Sequence, residues 1–275
     1  MSLQKYVGYL RDLESHKGQR IAEENYKSFR FELQELRPYL KKPLDQMDVL
    51  VLGCGYRYPD VELFTPLTNR TVGIDIIRAF RKDGLQATYR DIRSRESFIP
   101  SVLKTLLSAY ESHGYIAKLR ELSRTNTEQK MEVCSYDGVN LPFPPGSFDI
   151  VISNSVLEHV MDLQAVVSEI SRVTKTDGLS YHIWHNYYSY SGGHAPPSLC
   201  CKHPWGHLRG KYDMPFLNRA RAETVESLFE QYFGNVSWRY DLPEKVELLP
   251  TYMADLKQYS LDQLAHKSCI IIAQD

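Results

Sequence analysis

Two glycines and one carboxylate in the first third of the chain have the types and spacing to hold a nucleoside. Gly53 and Gly55 directly follow the apolar run of residues 49–52, and Asp75 ends a second apolar run twenty residues after Gly55. In an open α/β sheet, such a glycine turn lets the polar end of a ligand approach the backbone. An acid at the end of the next strand is placed to accept hydrogen bonds from ribose hydroxyls. The sequence therefore predicts a site for a nucleoside-containing cofactor.

A histidine-rich and aromatic segment further along the chain has the residue types for proton transfer. Five of the nine histidines fall between residues 182 and 207, with tyrosines and tryptophans among them. Imidazoles accept hydroxyl protons near neutral pH, and aromatic faces pack on apolar ligand surfaces. We therefore expect a general base from His185, His194 or His207, and the sequence leaves the choice among the three open.

Structural roles compete with this catalytic interpretation. His182 falls on a predicted strand and is also explained as an internal histidine with satisfied ring nitrogens. Cys200, Cys201, His203 and His207 could bind zinc, but they lack the paired C-x2-C spacing of structural zinc sites. The prediction is therefore that the chain has no metal site.

The composition argues against nucleic-acid-binding, membrane-spanning and disulfide-rich proteins. The chain has 275 residues, of which 43% are hydrophobic, enough for one elaborated domain. Its net charge of -1 gives no electrostatic footprint for nucleic acid or an anionic membrane. Five cysteines without a framework pattern favour reduced thiols, and no run approaches the ~18–20 apolar residues of a membrane span. With a charged N-terminus unlike a signal peptide, the sequence predicts a soluble, cytoplasmic protein.

Hydrophobic periodicity predicts strands that alternate with helices, the pattern of a doubly wound parallel sheet. The predicted strands of this core cover residues 48–52, 71–74, 132–138, 147–153 and 179–184. Helices are expected at residues 61–67 and at residues 163–173, the second ending in a glycine cap over 175–178.

The rest of the chain is predicted to add helices and two closing strands. Residues 7–40 read as a helix pair, either simply packed on the core or forming a lid. Helical spacing over residues 97–122 indicates one or two inserted helices, followed by a polar linker over 123–128. The expected closing elements are a helix at 222–233, a helical insertion at 244–264, and strands at 236–240 and 269–273.

Five features in a fixed order identify a family. The chain carries GCG, GID, an acid at Asp137, LPFPPGSFD over 141–149 and LEHV over 157–160. This order resembles the class I S-adenosylmethionine-dependent methyltransferases, in particular the broad small-molecule "type 11" group. The resemblance covers residues 48–184, about half of the chain. It implies S-adenosylmethionine as the cofactor and a mostly parallel seven-stranded sheet of the Rossmann-like methyltransferase fold.

The resemblance also implies roles for residues near the two glycines. Gly53, Cys54 and Gly55 match the turn against which the methionine portion of the cofactor lies. Asp75 matches the acid that binds the ribose, and Ile76 matches the residue that packs on the adenine face.

Four further residues match cofactor positions of the family. Asp137 corresponds to the acid that accepts from the adenine amine, with the Gly138 or Val139 backbone donating to the ring. Asn154 matches a residue beside the methionine carboxylate and the transferred methyl group. His159 matches a histidine that packs on the cofactor side.

Two departures from the family pattern lie close to this turn. The family usually has an acid near the end of the first strand, where this chain has Val51, and it tends to a third glycine, where this chain has Arg57. Arg57 could contact the cofactor carboxylate or project into solvent. A nicotinamide-dependent oxidoreductase would need a glycine where Tyr58 stands, because a larger side chain crowds the helix against the strand.

The sequence therefore predicts a methyltransferase with a small-molecule acceptor, oxygen favoured over nitrogen, such as a sugar or a secondary metabolite. The alternative is a non-catalytic protein that keeps the fold and binds the cofactor. We expect a single domain over 1–275. It comprises a helical extension at 1–44, a cofactor-binding core at 45–184 with an insertion at about 95–125, and substrate-side loops and closing strands at 185–275. No nucleic-acid or membrane partner is expected, and a homodimer is left open.

Overall fold

The computed structural model describes residues 3–77, 80–124, 131–214 and 216–275. Most of the predicted linker, residues 125–128, and the end of the predicted insertion at residue 125 lie outside these ranges. The strands are β1 Asp48–Leu52, β2 Arg70–Asp75, β3 Glu132–Ser135, β4 Phe148–Asn154, β5 Thr174–His185, β6 Asn235–Pro243 and β7 His266–Gln274. The α-helices are α1 Leu3–Leu36, α2 Pro59–Phe64, α3 Gly84–Arg93, α4 Phe98–Ser123, α5 Leu163–Val173, α6 Pro197–Lys202, α7 Ala222–Phe229, α8 Leu249–Leu256 and α9 Leu261–Ala265.

The strands found in the described residues form one seven-stranded sheet with the order β3-β2-β1-β4-β5-β7-β6. β1 pairs in parallel with β2, β2 with β3, and β4 with β5. β7 runs antiparallel to both β5 and β6. This mostly parallel sheet with helices between its strands confirms the predicted α/β fold class.

The chain divides into two compact units, residues 1–135 and 136–275. The first unit contains α1 to α4 and β1 to β3, and the second contains α5 to α9 and β4 to β7. The single-domain organisation expected from the sequence stays a prediction. No helix within the described ranges combines the length and the apolar character that a membrane crossing requires.

The N-terminal extension is one continuous helix, so the prediction of a helix pair was wrong. α1 buries Ala22, Phe29 and Leu36, which recur every seven residues on one face. Gly18 does not break the helix, because it lies against α4, where an added Cβ would overlap the backbone oxygen of Glu111. The missing side chain therefore permits close packing of α1 on α4. The helix ends before Arg37-Pro38, as the steric restriction on a residue before proline favours.

α3 was missed by the sequence analysis. Its ten residues, GLQATYRDIR, are mostly polar, and only Thr88 is buried. Such a helix has too few apolar positions to reveal its period. α4, in contrast, was predicted over residues 97–122 and forms as one helix.

The glycine cap predicted after α5 is wrong. α5 ends at Val173 and β5 begins at the next residue. The register between β4 and β5 passes from Thr174 directly to Leu179, so residues 175–178 bulge from the strand. Gly178 allows a close approach there, since a Cβ would lie 2.6 Å from Thr174 Cγ2. The predicted closing hairpin and the helical insertion before β7 are confirmed.

Candidate functional site

In the first unit, the glycine turn after β1 is held open by backbone geometry. Gly53 and Gly55 have φ values of 67° and 70°, a region that side-chain-bearing residues rarely adopt. The backbone nitrogens of Gly53 and Cys54 both donate to the Ile74 oxygen of β2, at 2.8 and 3.0 Å. No atom lies within 4 Å of where a Cβ on Gly55 would stand. The turn is therefore rigid and leaves open space beside Gly55.

Asp75 fixes the same turn from the end of β2. Its Oδ2 accepts from the Gly55 nitrogen at 2.7 Å, and its Oδ1 accepts from the Ile77 nitrogen at 3.1 Å. An ionised carboxylate has about four lone-pair sites, so further acceptor capacity remains. The next residue, Ile76, exposes 67% of its surface, an apolar side chain left open to a ligand.

Cys54 is a structural residue of the turn. Its side chain is buried, and burial together with the nearby Asp75 carboxylate raises the pKa of its thiol far above the usual range. The thiol therefore stays protonated and unreactive.

The two departures from the family pattern have structural explanations. Val51 is buried in β1, where an acid would need a partner inside the core. The Arg57 guanidinium does not project freely into solvent, because it pairs with the buried Glu111 of α4. Lys17 of α1 binds the other oxygen of Glu111 at 2.6 Å. The residue in the third glycine position thus ties the turn to both long helices.

In the second unit, Asp137 closes a tight turn. Its Oδ1 accepts from the nitrogens of Val139 and Asn140 at 2.9 and 2.7 Å, and its Oδ2 accepts from Asn140 Nδ2 at 2.6 Å. These hydrogen bonds, that of the Asn140 side chain first, lower the pKa of Asp137. Gly138 has a φ of 94°, which only glycine adopts readily. The carboxylate is ionised and exposed, and the Val139 nitrogen is already bonded to it.

Asn154 is the last residue of β4 and His159 follows the strand, as the sequence predicts. Asn154 ends the strand, and Ser155 Oγ donates to its Oδ1 at 3.1 Å. His159 lies in a short 3-10 helix, Leu157–His159, and its exposed ring stacks on Phe216 with centroids 5.7 Å apart.

His185 and His194 come together in the second unit. Their ring centroids are 4.5 Å apart, and the His194 ring also lies 5.1 Å from that of His159. His185 Nε2 bonds to Ser191 Oγ at 2.9 Å. Burial, and then the neighbouring His194, lower the pKa of His185 to about 3. Burial and His159 also lower the pKa of His194, so both rings are neutral at neutral pH.

His207 is not part of this histidine group, and its contacts are structural. Its Nε2 lies 2.7 Å from the Tyr187 oxygen, and burial lowers its pKa to about 4. Gly193 packs so tightly on the ring that a Cβ would lie 2.6 Å from His207 Cγ. His182 is also structural, since Ser153 and Ser180 each bond one of its nitrogens at 2.7 Å.

A buried carboxylate that was not predicted from the sequence joins the histidine group. Glu158 Oε1 accepts from the backbone nitrogen of His185 at 3.2 Å, and burial raises the pKa of Glu158 to about 7. Potential ligand atoms of Glu158, His159 and His194 all lie within 4.8 Å of one another, the one such group among the described residues. The alternative zinc set does not assemble, because Cys200 Sγ instead contacts the Ala195 oxygen and the Tyr212 hydroxyl.

A family model described as a methyltransferase domain matches residues 101–181. The match includes β3, β4 and α5 and contains both the LPFPPGSFD and the LEHV features. The seven-stranded sheet has the strand order and the antiparallel β7 of this fold. The chain is therefore similar to a methyltransferase domain over this segment and has the fold of the class I methyltransferases. The matched segment begins after the glycine turn and Asp75, so the cofactor positions of the first unit depend on the motif resemblance.

Known proteins resemble this chain either over one segment of the sequence or in the fold. An uncharacterized methyltransferase of Mycobacterium sp. (strain KMS) is 44% identical over 50 residues, which cover 17% of this chain and 20% of the relative. This chain therefore aligns with about a fifth of the length of that relative. The YcgJ protein of Bacillus subtilis is 14% identical with a TM-score of 0.50, over 91% of this chain and 99% of that one.

Phosphoethanolamine N-methyltransferase 2 of Haemonchus contortus, solved with S-adenosyl-L-methionine, gives the same identity and TM-score. The match covers 90% of this chain and 52% of the Haemonchus contortus chain. At 14% identity, these structural matches show the shared fold.

Proposed function

We propose that this chain transfers a methyl group from S-adenosylmethionine to a small-molecule acceptor. The observation that carries the cofactor assignment is the hydrogen bond from the Gly55 nitrogen to Asp75 Oδ2, at 2.7 Å. It joins the glycine turn to the acid at the ends of two parallel strands, where ligands of open α/β sheets bind.

Residues of the first unit are proposed to hold the methionine, ribose and adenine groups. Gly53, Cys54 and Gly55 present backbone to the methionine portion, because a side chain at Gly55 would fill the open space there. The spare acceptor capacity of Asp75 suits two ribose hydroxyls. Ile76, apolar and exposed, offers its surface to the adenine ring.

Residues of the second unit are assigned by the family resemblance. Asp137 is proposed to accept from the adenine amine through Oδ2, since its Oδ1 already binds two backbone nitrogens. Gly138 would donate to the ring through its backbone. Asn154 is proposed beside the methionine carboxylate and His159 beside the cofactor.

The acceptor is proposed to react through oxygen. In the transfer, a bond forms from the acceptor oxygen to the methyl carbon while the carbon–sulfur bond breaks, and the acceptor proton leaves to a base. S-adenosylhomocysteine is the second product. The cofactor is already activated, so the protein mainly positions the acceptor and removes its proton. A sugar or a phenolic metabolite suits the aromatic and imidazole side chains of the second unit.

The base is proposed to lie in the His185–His194 pair. Of the three candidates, His207 has Nε2 bound to the Tyr187 oxygen and its ring enclosed by Gly193. His185 and His194, whose rings contact each other, are then the remaining candidates to accept the proton. Both are neutral at neutral pH, the form that accepts a proton.

The cofactor assignment is tested by isothermal titration with S-adenosylhomocysteine. Asp75→Asn keeps the shape of the side chain but removes its charge, so affinity should fall by ~1–3 kcal/mol, the contribution of a hydrogen bond to a charged group. The matched control is Asp45→Asn, at an exposed acid of the same unit, which should bind like the wild type. Unchanged affinity of Asp75→Asn would remove the ribose assignment.

The same preparation then tests the acceptor. Transfer of labelled methyl from S-adenosylmethionine is measured on a panel of sugars, phenols and amines. Methylation of hydroxyl compounds is expected, and transfer to amines alone would contradict the oxygen acceptor. Cofactor binding without transfer to any member would favour the alternative of a non-catalytic cofactor-binding protein.

A cytoplasmic location is also proposed, because all five cysteines are free thiols, as is usual for reducing compartments. The homodimer left open by the sequence, and the expected lack of a nucleic-acid partner, stay predictions.

A further inference from the structure

Two buried polar atoms of the second unit have no hydrogen-bond partner, and both belong to residues of the group Glu158, His159 and His194. Glu158 Oε2 and His194 Nε2 are both enclosed and unpartnered. Glu158 exposes only 4% of its surface. Leaving such a group without a partner is costly, and more so when it is charged. A cation bound by the Glu158 carboxylate and the His194 imidazole would give these side chains a partner, and the exposed His159 offers a third ligand atom, all three residues having potential ligand atoms within 4.8 Å of one another.

We propose that Glu158, His159 and His194 bind a divalent transition-metal ion, contrary to the sequence-based prediction of no metal site. Two imidazoles and one carboxylate are a donor set of catalytic zinc sites. Imidazole nitrogen favours Zn²⁺ and its neighbours in the first transition row over Mg²⁺ or Ca²⁺. Tetrahedral zinc, with bonds of about 2.0–2.1 Å, places ligand atoms roughly 3.4 Å apart. The three side chains therefore have to close in by no more than about 1.5 Å from their present separation.

Asn218 holds the turn that carries two of the ligands. Its backbone nitrogen donates to the backbone oxygen of Glu158 at 3.0 Å. Its Nδ2 donates to the backbone oxygens of Leu157 and Val160 at 2.5 and 2.7 Å. Partners that fix ligand orientation in this way are typical of metal sites. A hydrogen bond from the backbone nitrogen of His185 to Glu158 Oε1, at 3.2 Å, orients the carboxylate itself.

The third ligand is presented by a strained turn. His194 has a φ of 52°, and its nitrogen donates to the Ser191 oxygen at 2.9 Å. This backbone conformation is unfavourable for a residue with a side chain, and such residues cluster at functional sites. The turn therefore places the His194 imidazole near the Glu158 carboxylate.

The ion would divide the roles of the histidine pair, a step that depends on the proposed function. With three protein ligands, a coordination position stays open, where an acceptor hydroxyl becomes more acidic. His194 is then a ligand, and His185 is left as the base. Ser191 Oγ donates its proton to the Glu244 carboxylate at 2.8 Å, so this hydroxyl accepts from His185 Nε2–H. The lone pair on His185 Nδ1 is then left to take the proton of the acceptor hydroxyl.

Isothermal titration of chelator-treated protein with Zn²⁺ alone tests the site. One ion per chain is expected, with affinity at least about tenfold weaker in Glu158→Gln, which removes the negative charge of one ligand, and in His159→Ala, which removes a ligand atom. Because His159 is exposed, its variant is expected to keep the fold if the buried Glu158 variant does not. His203→Ala is the matched control from the alternative Cys200, Cys201, His203 and His207 set, and it should bind Zn²⁺ like the wild type.

Absence of Zn²⁺ binding, or equal binding by wild type and His159→Ala, would overturn the proposal. Loss of binding in His203→Ala would also overturn it, in favour of the cysteine-containing set. A parallel titration with S-adenosylhomocysteine separates the two proposals. Zn²⁺ binding without S-adenosylhomocysteine binding supports the metal site and contradicts the methyltransferase proposal, and the converse result does the reverse.

Discussion

The ring of His182 lies wholly inside the protein, and hydroxyls satisfy both of its nitrogens. Ser153 Oγ and Ser180 Oγ each lie 2.7 Å from one ring nitrogen. Burial lowers the pKa of His182 to about 3. Since the unfolded value is about 6.5, protonation favours the unfolded chain. The stabilisation is therefore complete above pH 6.5 and is lost progressively as the pH falls toward 3.

Replacement of His182 by Asn should remove part of this acid sensitivity. Between pH 8 and pH 5, the wild type should lose about 2 kcal/mol more of its free energy of unfolding than the variant, because the variant has no ring to protonate. Urea denaturation at both pH values measures the difference. The same replacement at the exposed His113 serves as the control and should retain the wild-type pH dependence. Equal acid sensitivity in His182→Asn would contradict the assignment.

Individual site residues were predictable where they follow strands. Gly53, Gly55 and Asp75 stand at strand ends, so the apolar runs before them revealed their place. The group of Glu158, His159 and His194 could not be predicted from the sequence. Its assembly depends on a left-handed backbone conformation at His194 and on the hydrogen bonds from Asn218 to the turn that carries Glu158 and His159. Neither feature leaves a periodic signal in the sequence.

Among the elements of the first unit, the glycine turn and the two long helices are coupled by one carboxylate. Glu111 of α4 exposes 6% of its surface and binds Arg57 of the turn and Lys17 of α1. Removal of one partner leaves a buried charge without compensation, which is costly. The position where the family tends to glycine therefore has a structural task in this chain.

A double-mutant cycle with Arg57→Met and Glu111→Gln should show a coupling of about 1–3 kcal/mol in urea denaturation. The range lies below that of fully buried pairs, because the Arg57 side chain is 30% exposed. The Arg70–Glu132 pair, with 46% and 51% exposure, is the matched control. Exposed pairs contribute ~0–1 kcal/mol. A coupling no larger than that of the control would show that Glu111 does not anchor the turn.

Helix boundaries were harder to predict than strands for physical reasons. The strands of the sheet core are short apolar runs with turn residues on either side. Gly18 and Gly178 look like helix breakers or caps in the sequence, but both are sites of close backbone approach, at the α1–α4 contact and in the β5 bulge. The sequence does not show what lies opposite a glycine.

Across the whole molecule, cysteine chemistry follows burial. All five thiols are free, with Cys54, Cys200 and Cys269 buried and Cys134 and Cys201 exposed. Burial raises the pKa of Cys54 and Cys269 far above the usual range for a thiol. Because the thiolate is the reacting species, Cys54 and Cys269 are protected twice, by limited access and by protonation.

Alkylation of the folded chain with iodoacetamide should therefore modify Cys134 and Cys201 and spare the three buried thiols. Mass spectrometry of the digested protein gives the modified positions, and alkylation in denaturant, which should reach all five, is the control. Burial also raises the pKa of Cys134, so Cys134 should react more slowly than a thiol with its usual pKa at the same pH. Rapid modification of Cys54 in native conditions would mean that the turn between β1 and α2 opens, which contradicts the rigid glycine turn on which the cofactor assignment depends.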